Sequence, residues 1–128
     1  MKEKDKSIGE KDKSVSGHSP ANIQELLYRM GVTVKYIGFF HTSCAVELAM
    51  EDPERLLLVT KWLYPDVAER YETSWKSVER NIRTATNVAW NSNPDALSEY
   101  AGFELSEKPC NSQFLAILAN YCSRFKTE

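Results

Sequence analysis

The sequence has little glycine, little cysteine and no long apolar run, and each shortage excludes a class of protein. Five glycines among 128 residues form neither a glycine-rich phosphate loop nor a Gly-x-Ser-x-Gly nucleophile elbow. The odd number of cysteines (Cys44, Cys110 and Cys122) favours reduced thiols in a core over a disulfide framework. Aliphatic runs such as Leu56–Val59 are far shorter than the roughly 20 apolar residues that a membrane span needs.

Neither sign of charge is in large excess. Sixteen Lys and Arg residues against 18 Asp and Glu residues give a net charge of -2, which excludes a wholly basic, histone-like protein. A local basic surface remains compatible with this balance, because nucleic-acid binding depends on where the charge lies. The first residues lead into no apolar segment of a secretory signal, so we expect a cytoplasmic protein without membrane contact.

The N-terminal part, residues 1–19, contains almost nothing to bury. A charged heptad at 3–9 is nearly repeated at 10–16, and two copies are too few for a repeat fold. Because so few apolar groups cannot offset the entropy of ordering, we expect a disordered charged tail or linker. Five lysines and four acids within residues 1–20 nearly cancel, which disfavours a basic nucleic-acid arm.

Residues 20–128 predict a single all-α domain, a compact bundle of about six or seven helices that contains a helix-turn-helix. Apolar residues recur at helical spacing, and Val32-Thr33-Val34 has no second strand to pair with. The helix boundaries come from caps, prolines and glycines. We expect helices from the Ser19-Pro20 cap to Gly31, over 39–50, over 53–63, over 65–71, over 75–90, over 94–101, and from an Asn111 cap onward.

Two of these helices have predicted core positions of their own. In the second helix we expect Phe40, Cys44, Leu48 and Ala45 to face inward. In the last helix one stripe is expected to be buried: Phe114, Leu115, Leu118, Tyr121, Cys122 and Phe125.

The helix over 75–90 is the most informative part of the sequence. At about 100° per residue, one side is apolar: Trp75, Val78, Ile82, Ala85 and Ala89. The opposite side carries a row of three cations and an amide, which are Lys76, Arg80, Arg83 and Asn87. Glu79 and Thr84 flank this row. This helix is therefore expected to pack with one face and to present the other.

The row of cations has two interpretations. Lys76 and Arg80 repel at i,i+4, at a cost of roughly 0.2–0.5 kcal/mol, which a purely solubilising face would more often avoid. Arginine pairs with guanine and asparagine with adenine in the major groove, while Glu79 would accept from cytosine or orient Arg83. The alternative is an ordinary solvated face, in which Glu79 and Arg83 form a favourable i,i+4 pair.

The preceding residues favour the DNA interpretation. A short helix over 65–71, a three-residue turn and a longer amphipathic helix have the order of a helix-turn-helix, although the turn lacks the usual glycine. Thr73 and Ser74 lie where hydroxyls and backbone N–H groups hold a DNA phosphate.

Six segments of the chain resemble a known family. They are GV at 31–32, KYIG at 35–38, LYPDVA at 63–68, SVERNIR at 77–83, VAW at 88–90 and PCNSQF at 109–114. This pattern is similar to the C-terminal DNA-binding effector domain of the sporulation master response regulator of endospore-forming Firmicutes. The resemblance implies an all-helical effector that binds short operator boxes, often as head-to-tail pairs, and that contacts RNA polymerase or a sigma factor. It also implies base contacts from Glu79, Arg80 and Arg83.

The chain departs from that family in two ways. Ser77 stands where the family usually has a basic residue, so one DNA contact is lost or changed, and Lys76 is expected to compensate through a phosphate. Where the family has a phosphoacceptor receiver domain, this sequence has only the charged tail. The chain is therefore either an excised effector domain or a naturally receiver-less relative, which phosphorylation would not switch directly.

Evidence for other chemistry is thin. His41 and Cys44 are three residues apart, but a structural zinc site needs four ligands and no second close pair exists. Three acidic residues flank Pro53 at a helix start: Glu51, Asp52 and Glu54. Negative charge at this position stabilises the helix dipole, and we favour this interpretation over paired-carboxylate catalysis. We therefore expect no enzyme activity, no metal and no cofactor.

The sequence thus predicts a sequence-specific regulator of transcription that binds double-stranded DNA. Its expected DNA-binding residues are Thr73, Ser74, Lys76, Glu79, Arg80, Arg83 and Asn87. The alternative is an interaction module that has kept the fold, has lost DNA binding, and pairs with a full-length regulator or an RNA polymerase subunit. Ser77 and the acidic balance of residues 21–128 (11 basic and 14 acidic) favour that alternative.

Overall fold

The computed structural model describes residues 22–124, which form seven α-helices and one 3₁₀ segment without a strand. This confirms the all-α prediction. The predicted tail over 1–19, the Ser19-Pro20 pair and Phe125 lie outside the described residues. The helices are α1 (Ile23–Arg29), α2 (Ile37–Glu51), α3 (Val59–Trp62), α4 (Tyr64–Arg70), α5 (Trp75–Ser92), α6 (Pro94–Ala101) and α7 (Asn111–Arg124), with the 3₁₀ segment at Pro53–Leu57.

Helix α1 begins later than predicted and ends where predicted. Its N-cap is Asn22, whose side chain accepts a hydrogen bond from the Gln24 N–H at 2.7 Å, so the Ser19-Pro20 start was wrong. At its end Gly31 has a φ of +85° in the left-handed region, and the Val32 N–H donates to the Leu27 carbonyl at 2.8 Å. This glycine closure satisfies the last carbonyls of the helix and turns the chain toward α2.

Helix α2 lies at the centre of the bundle and is buried on nearly every side. It packs against α5 and α7, and Cys44, Ala45 and Leu48 are buried as predicted. The prediction for Phe40 was wrong, because this residue is 40% exposed and Phe39 faces the core instead. A helix surrounded by protein has no polar side, so periodicity does not reveal which of two adjacent phenylalanines points inward.

The predicted helix over 53–63 is broken into two short pieces. Asp52 caps the 3₁₀ segment by accepting from the Glu54 N–H, and α3 then adds a single turn. Leu58 separates the pieces with non-helical φ and ψ angles of -153° and 80°. An ion pair of 2.7 Å between Arg55 and Asp66 fastens the 3₁₀ segment to α4.

Helices α6 and α7 complete the support of α5. Helix α6 ends at Gly102, with a φ of +90°, as predicted. The predicted stripe of α7 is buried from Phe114 to Cys122. The capping role assigned to Asn111 was wrong, because Asn111 is already inside α7 and the Cys110 carbonyl accepts the first helical bond from Phe114 at 2.8 Å.

None of the helices among residues 22–124 combines the length and the apolar character needed to cross a lipid bilayer.

Candidate nucleic-acid interface

Helices α4 and α5 are joined by a tight turn of the helix-turn-helix kind. The Glu72 N–H donates to the Glu69 carbonyl at 3.3 Å, and the Thr73 N–H donates to the Ala68 carbonyl at 3.0 Å. These two bonds close α4 as a glycine normally would, and Glu72 takes the left-handed conformation with a φ of 54°. The turn therefore has the expected geometry although it lacks the expected glycine.

Ser74 is the N-cap of α5, as predicted. Its Oγ accepts from the Ser77 N–H at 3.1 Å, which satisfies one of the free donors of the first turn. The same hydroxyl lies 3.1 Å from the Ser77 Oγ. Thr73 and Ser74 are both exposed, so their side chains lie at the surface where α5 begins.

The inner face of α5 is apolar and fully packed. Its buried residues are Val78, Ile82, Ala85, Thr86 and Ala89. Trp75 was expected on this face, but its side chain is 37% exposed and the Lys76 ammonium lies 5.9 Å from its ring. The first residue of a helix projects beyond the neighbouring helices, so its position on the wheel does not guarantee burial.

The outer face of α5 presents three exposed cations, Lys76, Arg80 and Arg83, which we call the cationic ridge. Arg80 donates to the Ser77 Oγ at 3.4 Å, and Arg83 lies 3.6 Å from the Glu79 carboxylate. Both contacts are long, and the Arg83 side chain is 53% exposed. Both guanidinium groups therefore stay accessible to a ligand and are only loosely held by their own helix.

Asn87 has a partner that the sequence did not reveal. The Lys108 ammonium, from the segment between α6 and α7, donates to the Asn87 Oδ1 at 2.5 Å. This segment carries Glu104 and Glu107 beside its lysine, so composition gave no sign of a basic contribution. The only signal was the resemblance over 109–114, which begins one residue after Lys108.

A polar contact behind α5 fixes the helix to α7. The Asn111 Nδ2 donates to the Glu79 carbonyl at 3.0 Å, while its Oδ1 lies 3.4 Å from the Thr86 hydroxyl. Thr86 donates to the Ile82 carbonyl at 2.9 Å as well. Asn111 of α7 therefore fixes the rotation of α5 about its own axis, although the sequence predicted only a capping role for this residue.

A cleft of about 500 Å³ lies between α5 and the start of α7, and Arg83 and Lys108 line it together with Cys110. Cys110 is exposed, whereas Cys44 and Cys122 are buried, so the expectation of a core thiol was wrong for Cys110. A hydrogen bond with Ser112 and the backbone N–H of Gln113 lower the pKa of the Cys110 thiol.

His41 lies under α5 and not at the surface. Its Nδ1 is 3.5 Å from the Asn81 Nδ2, and burial lowers the pKa of its imidazole. Across residues 22–124 no three His, Cys, Asp or Glu side chains come close enough together to hold a metal ion.

Comparison with known families gives one match that covers most of the chain. The family described as sporulation initiation factor Spo0A C terminal matches residues 23–122, which is nearly the whole described region. The matched range contains α1 to α6, the cationic ridge, Lys108 and most of α7.

Proposed function

Because this chain belongs to the Spo0A C-terminal family, which is a DNA-binding effector domain and not an enzyme family, we propose that it is a sequence-specific regulator of transcription. In this proposal α5 enters the major groove of double-stranded DNA. The observation that carries it is the cationic ridge, whose exposed charges stand opposite the buried face of the same helix. A rigid helix with one free basic face is the element that a major groove accepts.

The residues of the ridge have different proposed roles. Arg80 and Arg83 read base edges, because a guanidinium forks onto the O6 and N7 acceptors of guanine. Glu79 accepts from a cytosine amino group or orients Arg83, which lies 3.6 Å away. Lys76 lies nearest the N-terminus of α5 and binds a phosphate, which compensates for Ser77 at the position where the family resemblance implies a basic residue.

The start of α5 supports the docking. Thr73 and Ser74 are exposed at the helix N-terminus, where the helix dipole and free backbone N–H groups favour a phosphate. We therefore assign them to the DNA backbone, which fixes the orientation of α5 without reading sequence.

Fluorescence anisotropy with the full chain tests this function. Duplexes are first enriched from a random library, and binding to an enriched and a shuffled duplex is then titrated with salt. We expect saturable binding, tighter for the enriched duplex, with a logarithmic affinity that falls linearly with the logarithm of salt concentration. The absence of saturable binding at low salt would refute the proposal.

A charge-matched pair of variants localises the interface. Arg83→Ala and Lys35→Ala each remove one exposed cation. Arg83 belongs to the ridge, whereas Lys35 lies in the turn that leads into α2, and α2 packs through Gly38 against the inner side of α5. We expect Arg83→Ala to weaken binding and Lys35→Ala to leave it within twofold. Equal losses would mean that binding depends on overall charge and not on the ridge.

Two partner assignments extend the proposal. Two copies bind neighbouring operator boxes head to tail, and the bound domain contacts RNA polymerase or a sigma factor. Both follow from the family resemblance. Sedimentation on duplexes with one or two boxes tests the first, and pull-down of purified polymerase with and without DNA tests the second.

The second candidate function is a protein-interaction module without DNA binding. Exposed apolar side chains around the 3₁₀ segment favour it, since Leu57 is 77% exposed and both Leu58 and Trp62 are more than 40% exposed. This candidate predicts capture of a regulator or a polymerase subunit by a chain that does not bind duplex DNA, and Leu57→Ser would abolish that capture.

A further inference from the structure

Lys108 and Asn87 come from separate segments and meet on the outer side of α5. They are 21 positions apart in sequence, and the ammonium donates to the amide oxygen at 2.5 Å. An ammonium group has donors only, so the Asn87 side chain must turn its oxygen toward Lys108 and its NH₂ group away.

The backbone of Lys108 is held in place on its C-terminal side. Pro109 follows it and is buried, and the Cys110 carbonyl then accepts the first hydrogen bond of α7. A residue before proline is restricted to extended conformations, which removes much of the freedom that a loop lysine normally has. Lys108 therefore reaches α5 from a backbone anchored by the core.

This contact constrains adenine reading by Asn87. Asparagine recognises adenine with both ends of its amide, since the oxygen accepts from N6 and the nitrogen donates to N7. In this protein the oxygen is already engaged by Lys108. To read adenine, Asn87 would have to share this oxygen between the Lys108 ammonium and the adenine amino group, so the charge-assisted bond limits how the amide can meet a base.

Resting on the DNA binding proposed above, we infer that Lys108 is a phosphate-binding residue of the DNA interface and that Asn87 positions it. Lys108 adds a fourth cation beside the ridge and lines the same cleft as Arg83. Its target is a backbone phosphate, because an ammonium is a compact point charge without the planar fork that reads guanine. Asn87 is then a positioning residue whose own base preference is weak.

DNA binding by the full chain tests this inference, measured with an enriched and a shuffled duplex over a range of salt concentrations. The variants compared are Lys108→Ala, Asn87→Ala, the double variant and the control Lys35→Ala. We expect Lys108→Ala to weaken both duplexes equally, by roughly 5- to 10-fold at 0.1 M salt, and to reduce the salt slope by about one. Lys108→Arg, which keeps the charge, is expected to retain the slope.

The double variant separates positioning from base reading. If Asn87 acts through Lys108, Asn87→Ala weakens both duplexes without changing base preference and adds no further loss to Lys108→Ala. Additive losses with a changed preference at an A·T pair would overturn the inference, as would a Lys108→Ala variant that binds like Lys35→Ala. If the wild-type chain binds no duplex, the proposed function fails first. A binding wild type with an unaffected Lys108→Ala variant refutes this inference alone.

Discussion

Gly38 on α2 lies directly against the backbone carbonyl of Asn81 on α5. A Cβ atom at Gly38 would come well within 3.0 Å of that oxygen and would also crowd the side chain of Ala85. The close approach sets the distance between the central helix of the bundle and the helix that carries the cationic ridge. Only glycine permits this approach, because any side chain would have to occupy the position of the Asn81 carbonyl.

Gly38→Ala is therefore expected to destabilise the protein although alanine favours helices. Overpacking of a fixed helix contact costs about 1–3 kcal/mol, because one helix must move away from the other. Urea unfolding measures the change, with Asn120→Ala on the exposed side of α7 as a control expected within about 0.5 kcal/mol of wild type. An unfolding free energy that stays at the wild-type value would show that α2 and α5 separate without cost.

Glu72→Gly is expected to stabilise the protein by about 0.5–1 kcal/mol. Glu72 holds a φ of 54°, which glycine adopts without steric strain. The strain that glycine relieves exceeds the additional conformational entropy that glycine loses on folding. Glu72→Val should be destabilising, because a β-branched residue tolerates this region least. Thermal unfolding of both variants is the measurement, and a glycine variant no more stable than the valine variant would contradict the assignment.

Ser74 is expected to influence stability and DNA affinity separately. Ser74→Ala removes the cap of α5 and should cost about 1 kcal/mol of stability. Ser74→Asp keeps a capping oxygen, so its stability should match that of wild type, while its carboxylate repels DNA phosphate and lowers affinity. If the aspartate variant bound DNA as tightly as wild type, Ser74 would not lie beside the DNA backbone.

Arg80 and Lys76 are expected to differ in what they contribute to binding. Arg80→Ala should cost about 1–3 kcal/mol and relax base preference at one operator position. Lys76→Ala should weaken all duplexes alike and reduce the salt slope by about one. Equal weakening by Arg80→Ala on enriched and shuffled duplexes would argue against base reading by this arginine.

Because His41 is buried, we expect the folded protein to lose stability in weak acid. Burial lowers its pKa in the folded state below the ordinary value of 6.5, so the unfolded chain takes up a proton first as the pH falls. The unfolding free energy should therefore decrease from about pH 6.5 toward the lower folded pKa, and this contribution should be constant well above 6.5. His41→Phe, which keeps a ring beside Tyr71, should remove this part of the pH dependence when urea unfolding is compared between pH 7 and 5. The same slope in both proteins would assign it to other groups.

Local sequence signals determined most of the helix boundaries correctly. Gly31 and Gly102 end helices through left-handed conformations, and Ser74 caps α5, because these residues act on backbone groups within a few positions. The two faces of α5 were also readable, since this helix has protein on one side and an accessible surface on the other. Periodicity detects that contrast whatever the partner of the buried face is.

The tertiary structure decided the features that depend on distant residues. Helix α2 is surrounded, so only packing determined that Phe39 and not Phe40 faces the core. Asn111 meets Glu79 across 32 positions, and Lys108 meets Asn87 across 21. Caps and periodicity act over about one helical turn and carry no information about residues at such separations. The sequence alone therefore determined which face of α5 is basic. The tertiary fold determined which residues hold that face in place and which further cation lies beside it.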